Sequence, residues 1–325
     1  MKYPFIRVCC ICLILCFILT GCSSNEEESA AGAYFRIEDQ WEYQASVSVP
    51  PVISYNYSSQ YAVFPAEEHV NSSVAAQLCI NNSTNEVVMS ENAFERIYPA
   101  SITKIMTALL VLERGNLSDT VTVTEPIVLN DPLAVSLELQ VGDQITINEL
   151  MHGMLITSAN DYAVMLGRYV AGSDSAFVDL MNQRAVELGA THTHFVNPNG
   201  LHAEEHYTTA YDLYLIFQAL IQHEEFRAIA EIPQYTIHYT DGEGNEREAP
   251  IANSNLFISQ NYSAPEGITV ISGKTGTTNE AGSCLIVEAK DSQDQDYIVL
   301  VCGAGSRSAL YEKMQQLLNQ ISEKE

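Results

Sequence analysis

Apolar residues recur at two periods along this chain, and the places where the period changes outline its elements. From Pro99 an almost unbroken apolar run to Leu112 reads as a buried helix, opened by the proline and closed by Gly115. Thr146 and Glu149 form a capping-box pattern that opens a second helix through Met151, Met154 and Leu155. The periodicity breaks at Thr157-Ser158-Ala159-Asn160 and restarts from Tyr162 to Leu166, which places a polar turn between two apolar helices. Near the C-terminus the period shortens. Gly267 to Thr278, Ser283 to Glu288 and Tyr297 to Cys302 are β-rich runs separated by polar turns, and they read as a three-stranded antiparallel meander. The last segment, Ser308 to Ile321, returns to helical spacing with Leu310, Met314, Leu317, Leu318 and Ile321. Its acidic end marks it as a packed terminal helix rather than a membrane anchor.

Three short strings on these elements carry chemistry. Ser101 and Lys104 of Ser101-Ile-Thr-Lys104 fall in the first turn of the first helix, on one face. There, free N–H groups and the helix dipole favour negative charge developing at the serine. A lysine in an apolar site beside a second cation loses proton affinity and becomes a base. Ser158 and Asn160 sit in the turn between helices, where a polar pair is held rigidly and where Asn160 can also serve as a helix cap. Lys274-Thr275-Gly276-Thr277 lies on the first strand of the meander. Lys274 and the hydroxyls of Thr275 and Thr277 suit a carboxylate, and Gly276 lets a substrate backbone approach closely.

The set S-x-x-K, S-[DA]-N and K-T-G is shared by penicillin-binding proteins and class A β-lactamases. Further strings sharpen the resemblance: Thr193-His-Phe-Val-Asn-Pro-Asn-Gly-Leu201, Tyr207-Thr-Thr-Ala-Tyr-Asp212, Asn253-Ser-Asn-Leu256 and Ala281-Gly282. Over about residues 70–322 the chain resembles a serine-type D-alanyl-D-alanine carboxypeptidase, a low-molecular-mass penicillin-binding protein. That resemblance implies an α/β (α+β) fold of the β-lactamase/DD-peptidase type. A five-stranded antiparallel sheet, with Val74–Ile80 and Glu86–Ser90 as its first hairpin, would be covered by helices. A helical lobe at about residues 116–265 would be inserted, with the site in the cleft between. It implies Ser101 as the acylated nucleophile and Lys104 as its base. Ser158 would relay a proton to the leaving D-alanine nitrogen, Asn160 would hold Lys104 and the substrate amide, and Lys274 would tune the network. The backbone N–H groups of Ser101 and Thr277 would form the oxyanion hole. It also implies stem peptides ending in D-Ala-D-Ala as substrate, β-lactams as covalent inhibitors, and no cofactor.

The N-terminus adds an address. Lys2 and Arg7 precede an apolar run from Val8 to Leu19, the length of a signal-peptide core and too short to span a bilayer. It ends in Leu19-Thr20-Gly21-Cys22, which resembles a bacterial lipoprotein box, with an ordinary signal peptide as the alternative. The expected organisation is a leader at residues 1–21, a partly disordered tether at 22–65 and a catalytic domain at 66–325, with no C-terminal β domain. Lipid on Cys22 would anchor the protein outside the cytoplasmic membrane.

The chain has 325 residues, 46% of them hydrophobic, enough for one large core, and its net charge of −26 argues against nucleic acid. Of the eight cysteines, five lie at or before Cys22. Cys79, Cys284 and Cys302 remain, an odd number that implies no disulfide framework. Cys284 and Cys302 are expected on neighbouring strands, as buried thiols or, alternatively, as a pair. His192, His194, His202 and His206 lack partners at a familiar ligand spacing, so no metal is expected, and His206 borders the expected cleft. Two other functions compete. A class A-like β-lactamase needs an E-x-x-L-N glutamate, and no such string lies between Ser158 and Lys274. A catalytically silent, lipid-anchored wall-binding protein would not need the intact motif side chains.

Overall fold

The computed structural model describes residues 73–129, 131–132 and 134–322, so the leader, the Cys22 box and the tether lie outside the described residues. The first half runs β1 (Ala76–Asn81), β2 (Glu86–Glu91), α1 (Lys104–Arg114), β3 (Thr120–Thr122), β4 (Gln144–Thr146), α2 (Ile147–His152), α3 (Asn160–Ala171) and α4 (Asp174–Glu187). The second half runs α5 (Ala210–Leu220), α6 (Glu224–Ala230), β5 (Gln234–Thr240), β6 (Glu246–Ala252), β7 (Thr269–Thr278), β8 (Gly282–Lys290), β9 (Asp296–Ala304) and α7 (Arg307–Ser322).

The expected five-stranded antiparallel sheet is present, in the order β2-β1-β9-β8-β7. Strand alternation explains why its inner strands read as continuous apolar runs. Cys284 and Ile286 of β8, with Ile298, Leu300 and Cys302 of β9, point into the core shared with α1 and α5. The intervening Leu285, Val287, Val299 and Val301 point into a second core against α7. Each face buries its own alternate set because helices cover both. The terminal helix packs as its spacing required, with Leu310, Tyr311, Met314, Leu317, Leu318 and Ile321 buried. Cys284 and Cys302 are buried thiols, not a disulfide. Among the described residues, no helix is long and apolar enough to cross a membrane.

The inserted lobe contains α2 to α6 and also a second, four-stranded sheet, β3-β4-β5-β6, which sequence periodicity did not indicate. Thr146 caps α2, its hydroxyl accepting the Glu149 N–H at 3.1 Å. The capping box is half used: the Glu149 carboxylate instead accepts from the Tyr235 hydroxyl at 2.9 Å and the His238 N–H at 3.1 Å, tying α2 to β5. The lobe is also tied to the main sheet. Arg227 of α6 reaches Glu288 of β8 at 2.6 Å, and the Ser272 hydroxyl completes that buried carboxylate at 2.8 Å. A buried acid with matched donors fixes geometry, since losing either partner would leave a charge uncompensated.

Candidate active site

The three motifs meet at the start of α1. The chain enters it through a 3₁₀ turn, Ala100–Thr103, rather than through an α-helical first turn as expected. At its start Ala100 has φ +47°, a left-handed conformation rare for a residue with a Cβ. Thr103 Oγ1 donates to the Ala100 carbonyl at 2.8 Å and closes the turn. The turn lies against β7, where a Cβ on Gly276 would come within 3.0 Å of the backbone nitrogens of Ser101 and Ile102. Gly276 thus admits the backbone of the turn that carries Ser101.

Lys104 is 0% exposed, and its Nζ has three neighbours. Ser101 Oγ and Asn160 Oδ1 lie at 2.8 Å, and the Asn199 carbonyl lies at 2.5 Å. The orientation of the Asn160 amide follows from its other end, where Nδ2 donates to the Val135 carbonyl at 2.9 Å. Two of the three neighbours of Nζ can therefore only accept. A neutral amine would give its two N–H groups to them and turn its lone pair to the Ser101 hydroxyl. Burial pulls the Lys104 pKa well below the ordinary lysine value, the charge of Lys274 adds to this, and Asp161 opposes it.

Ser158 follows a π-helical turn, Gly153–Thr157, and has φ +71°. That bend aims its Oγ at Lys274 Nζ, 2.9 Å away. Asn160 does not cap α3. The cap residue is Ala159, with no side-chain cap, and the Asn160 amide is used on Lys104 and Val135. Lys274 is buried, its Nζ also donates to the Thr275 carbonyl at 2.9 Å, and burial brings its pKa down to about 7. Thr275 Oγ1 lies 2.6 Å from Ser254 Oγ, and the Thr277 hydroxyl donates to the Gly276 carbonyl at 2.8 Å. β7 has a strand neighbour on one side only among the described residues.

Two contributors escaped the sequence reading. The Asn199 carbonyl is a backbone group, and only the turn-forming Asn197-Pro-Asn-Gly200 string hinted at a fixed loop. Arg307 opens α7 and donates to the Ser254 carbonyl at 2.6 Å, which places a guanidinium at the margin of Thr275. His206, expected to border the cleft, is instead buried against Thr103 of the Ser101 turn.

The buried lysines have a measurable consequence. Between about pH 7 and the ordinary lysine range, the unfolded chain carries a proton at Lys274 that the folded protein has released. Proton binding then favours unfolding, so stability should rise with pH across that window. Lys274→Met should flatten the rise in the urea midpoint between pH 7 and 10 and raise the midpoint itself at pH 7. An unaltered slope would show that Lys274 does not carry the effect.

A serine at a helix start, a buried lysine hydrogen-bonded to it and a second serine–lysine pair beside them form the geometry of a lysine-activated serine nucleophile. The comparisons narrow the class. The profile of the D-alanyl-D-alanine carboxypeptidase family, peptidase S11, matches residues 63–306, and the chain belongs to that family. A D-alanyl-D-alanine carboxypeptidase of Bacillus subtilis (DacF) is 34% identical over 72% of this chain and 59% of its own length. One from Escherichia coli (DacC) is 32% identical over 78% of this chain and 63% of its own. The chain thus spans under two thirds of these relatives. Among solved structures, the Streptomyces K15 DD-transpeptidase superposes with a TM-score of 0.68 at 26% identity, covering 78% of this chain and 98% of that one. Penicillin-binding protein D2 of Listeria monocytogenes, in its cefotaxime-bound form, gives 0.64 at 28% identity, covering 78% and 99%.

Proposed function

We propose that the protein is a serine-type D-alanyl-D-alanine carboxypeptidase that removes the terminal D-alanine from peptidoglycan stem peptides. The observation that carries this is the environment of Lys104 Nζ, with two acceptors and the Ser101 hydroxyl around a desolvated amine. Lys104 takes the Ser101 proton as Oγ attacks the penultimate D-alanine carbonyl. The N–H groups of Ser101 and Thr277 stabilise the oxyanion. The Ser158 hydroxyl, held by Lys274, passes a proton to the leaving nitrogen, and water then cleaves the acyl-enzyme. Lys274, Thr275 and Thr277 receive the terminal carboxylate, with Arg307 at the margin. The membership of S11-type relatives favours this over a β-lactamase or a silent wall-binding protein.

Incubation with a synthetic pentapeptide ending in D-Ala-D-Ala should yield the tetrapeptide mass and free D-alanine. β-Lactams should act as covalent inhibitors, and without a deacylating glutamate the penicilloyl-enzyme should persist for many minutes. Rapid turnover of a penicillin with no D-alanine release would favour the β-lactamase; neither activity would favour the silent protein.

We further propose that residues 66–325 form the catalytic domain, and that residues 22–65 tether it to lipid on Cys22 at the outer face of the cytoplasmic membrane. The Leu19-Thr-Gly-Cys22 string after an apolar core supports this. Replacing residues 1–22 with a non-lipoprotein signal should release an active, penicillin-binding protein into the soluble extracytoplasmic fraction. Retention on membranes after a salt wash would place the anchor elsewhere.

A further inference from the structure

We infer that His206 is a positioning residue for the nucleophile: through Thr103 it holds Ala100 in the left-handed conformation that aims Ser101 at Lys104. This rests on Ser101 being the acylated residue. His206 Nδ1 accepts the Val196 N–H at 3.1 Å, so the ring proton sits on Nε2. Nε2 lies 2.8 Å from Thr103 Oγ1, whose own hydrogen goes to the Ala100 carbonyl at 2.8 Å. The bonds therefore run in one direction, from His206 N–H to Thr103 O–H to the Ala100 carbonyl. Thr103, Ala100 and His206 are all buried, so water does not compete for these groups. The edge of the Phe195–His206 pair, with centroids 5.6 Å apart, fixes the ring plane.

A left-handed alanine persists only when its surroundings over-determine it. A second contact serves the same carbonyl: Gly200 (φ +83°) is pressed so close that a Cβ there would fall 1.9 Å from the Ala100 oxygen. Gly200 belongs to the loop that His206 holds at Val196 and that presents the Asn199 carbonyl to Lys104. His206 thus joins the turn carrying the nucleophile to the loop orienting the base, without touching either reacting atom. Burial and the nearby basic groups push its pKa down to about 3, which keeps this neutral tautomer in place at working pH.

The test is single-turnover acylation by a labelled penicillin, with noncovalent Kd resolved from the acylation rate constant. His206→Phe and Thr103→Val keep volume but break the relay, and each should slow acylation by about tenfold to a hundredfold with Kd little changed. Thr103→Ser, and His206→Gln, which returns an N–H near the Nε2 position, should recover most of the rate. The double variant His206→Phe/Thr103→Val should be no slower than the slower single, because both break one chain. Met314→Ala in the core under α7 is the stability control: a similar loss of Tm there should leave the acylation rate unchanged. A wild-type rate in Thr103→Val, a loss confined to Kd, or additive losses in the double variant would overturn the inference. If His206→Phe fails to fold, the Thr103 pair of variants decides it. If the wild type is not acylated at Ser101, the functional reading falls and this inference with it; an acylated wild type with indifferent variants removes this inference alone.

Discussion

Ser101→Ala is expected to abolish both covalent labelling by penicillin and release of D-alanine, while the protein still folds. The side chain is small, and it lies in a turn whose shape is fixed by Ala100, Thr103 and Gly276 rather than by the serine hydroxyl. Losing the hydroxyl leaves Lys104 with its two acceptors, Asn160 and Asn199, so the amine keeps its seat. In the proposed mechanism the chemistry has no substitute, because Lys104 and Ser158 would move protons and not attack. Removal of a serine nucleophile costs about 10⁶ in kcat where it has been measured on its own. Circular dichroism and Tm report folding, and mass spectrometry after penicillin treatment reports the adduct. An adduct on the variant at any other residue would remove Ser101 from the role.

The sequence disclosed this site unevenly, and the reason lies in where each contribution is encoded. Ser101, Lys104, Ser158, Asn160 and Lys274 meet through their side chains, so their identity and spacing are visible in one dimension. β7, β8 and β9 were legible because both faces of the inner strands are apolar and polar turns separate the runs. The small sheet was not. β3 and β4 have three residues each, and β6 is largely exposed with Glu246, Arg247 and Glu248 on it, so none of the three shows a buried stripe. The 3₁₀ entry to α1 was also invisible. The Pro99-Ala100 string favours a helical start, and tertiary contacts from Gly200 and Gly276 override it. The Asn199 carbonyl carries no residue signal at all. His206 reads as a loop histidine until folding shows both of its nitrogens engaged inside the protein. Asn160 shows the opposite error, since a real propensity to cap helices gave way to two stronger demands on its amide.

Lys104→Met should lower acylation by about 10² to 10⁴, the range for removing a general base. Methionine fills the buried slot, but it leaves the Ser101 proton with no acceptor and Asn160 Oδ1 without its lysine donor. Lys104→Arg separates two explanations. It keeps a positive charge beneath the serine but cannot release its proton, so it should be as inactive as the methionine variant. Substantial activity in Lys104→Arg would mean that the charge matters and the base lies elsewhere. The pH profile adds a sign. A base must be neutral, so acylation should fall as pH drops through the lowered pKa of Lys104. The charge on Lys274 is one cause of that lowering, after burial. Lys274→Ala removes it, so the acid limb of the acylation profile should shift to higher pH, on top of a loss in rate from the missing carboxylate and Ser158 contacts. Lys274→Arg should leave the limb nearer its original position, because the charge survives. If the limb stays where it is in Lys274→Ala, or moves to lower pH, the charge of Lys274 does not lower the proton affinity of Lys104.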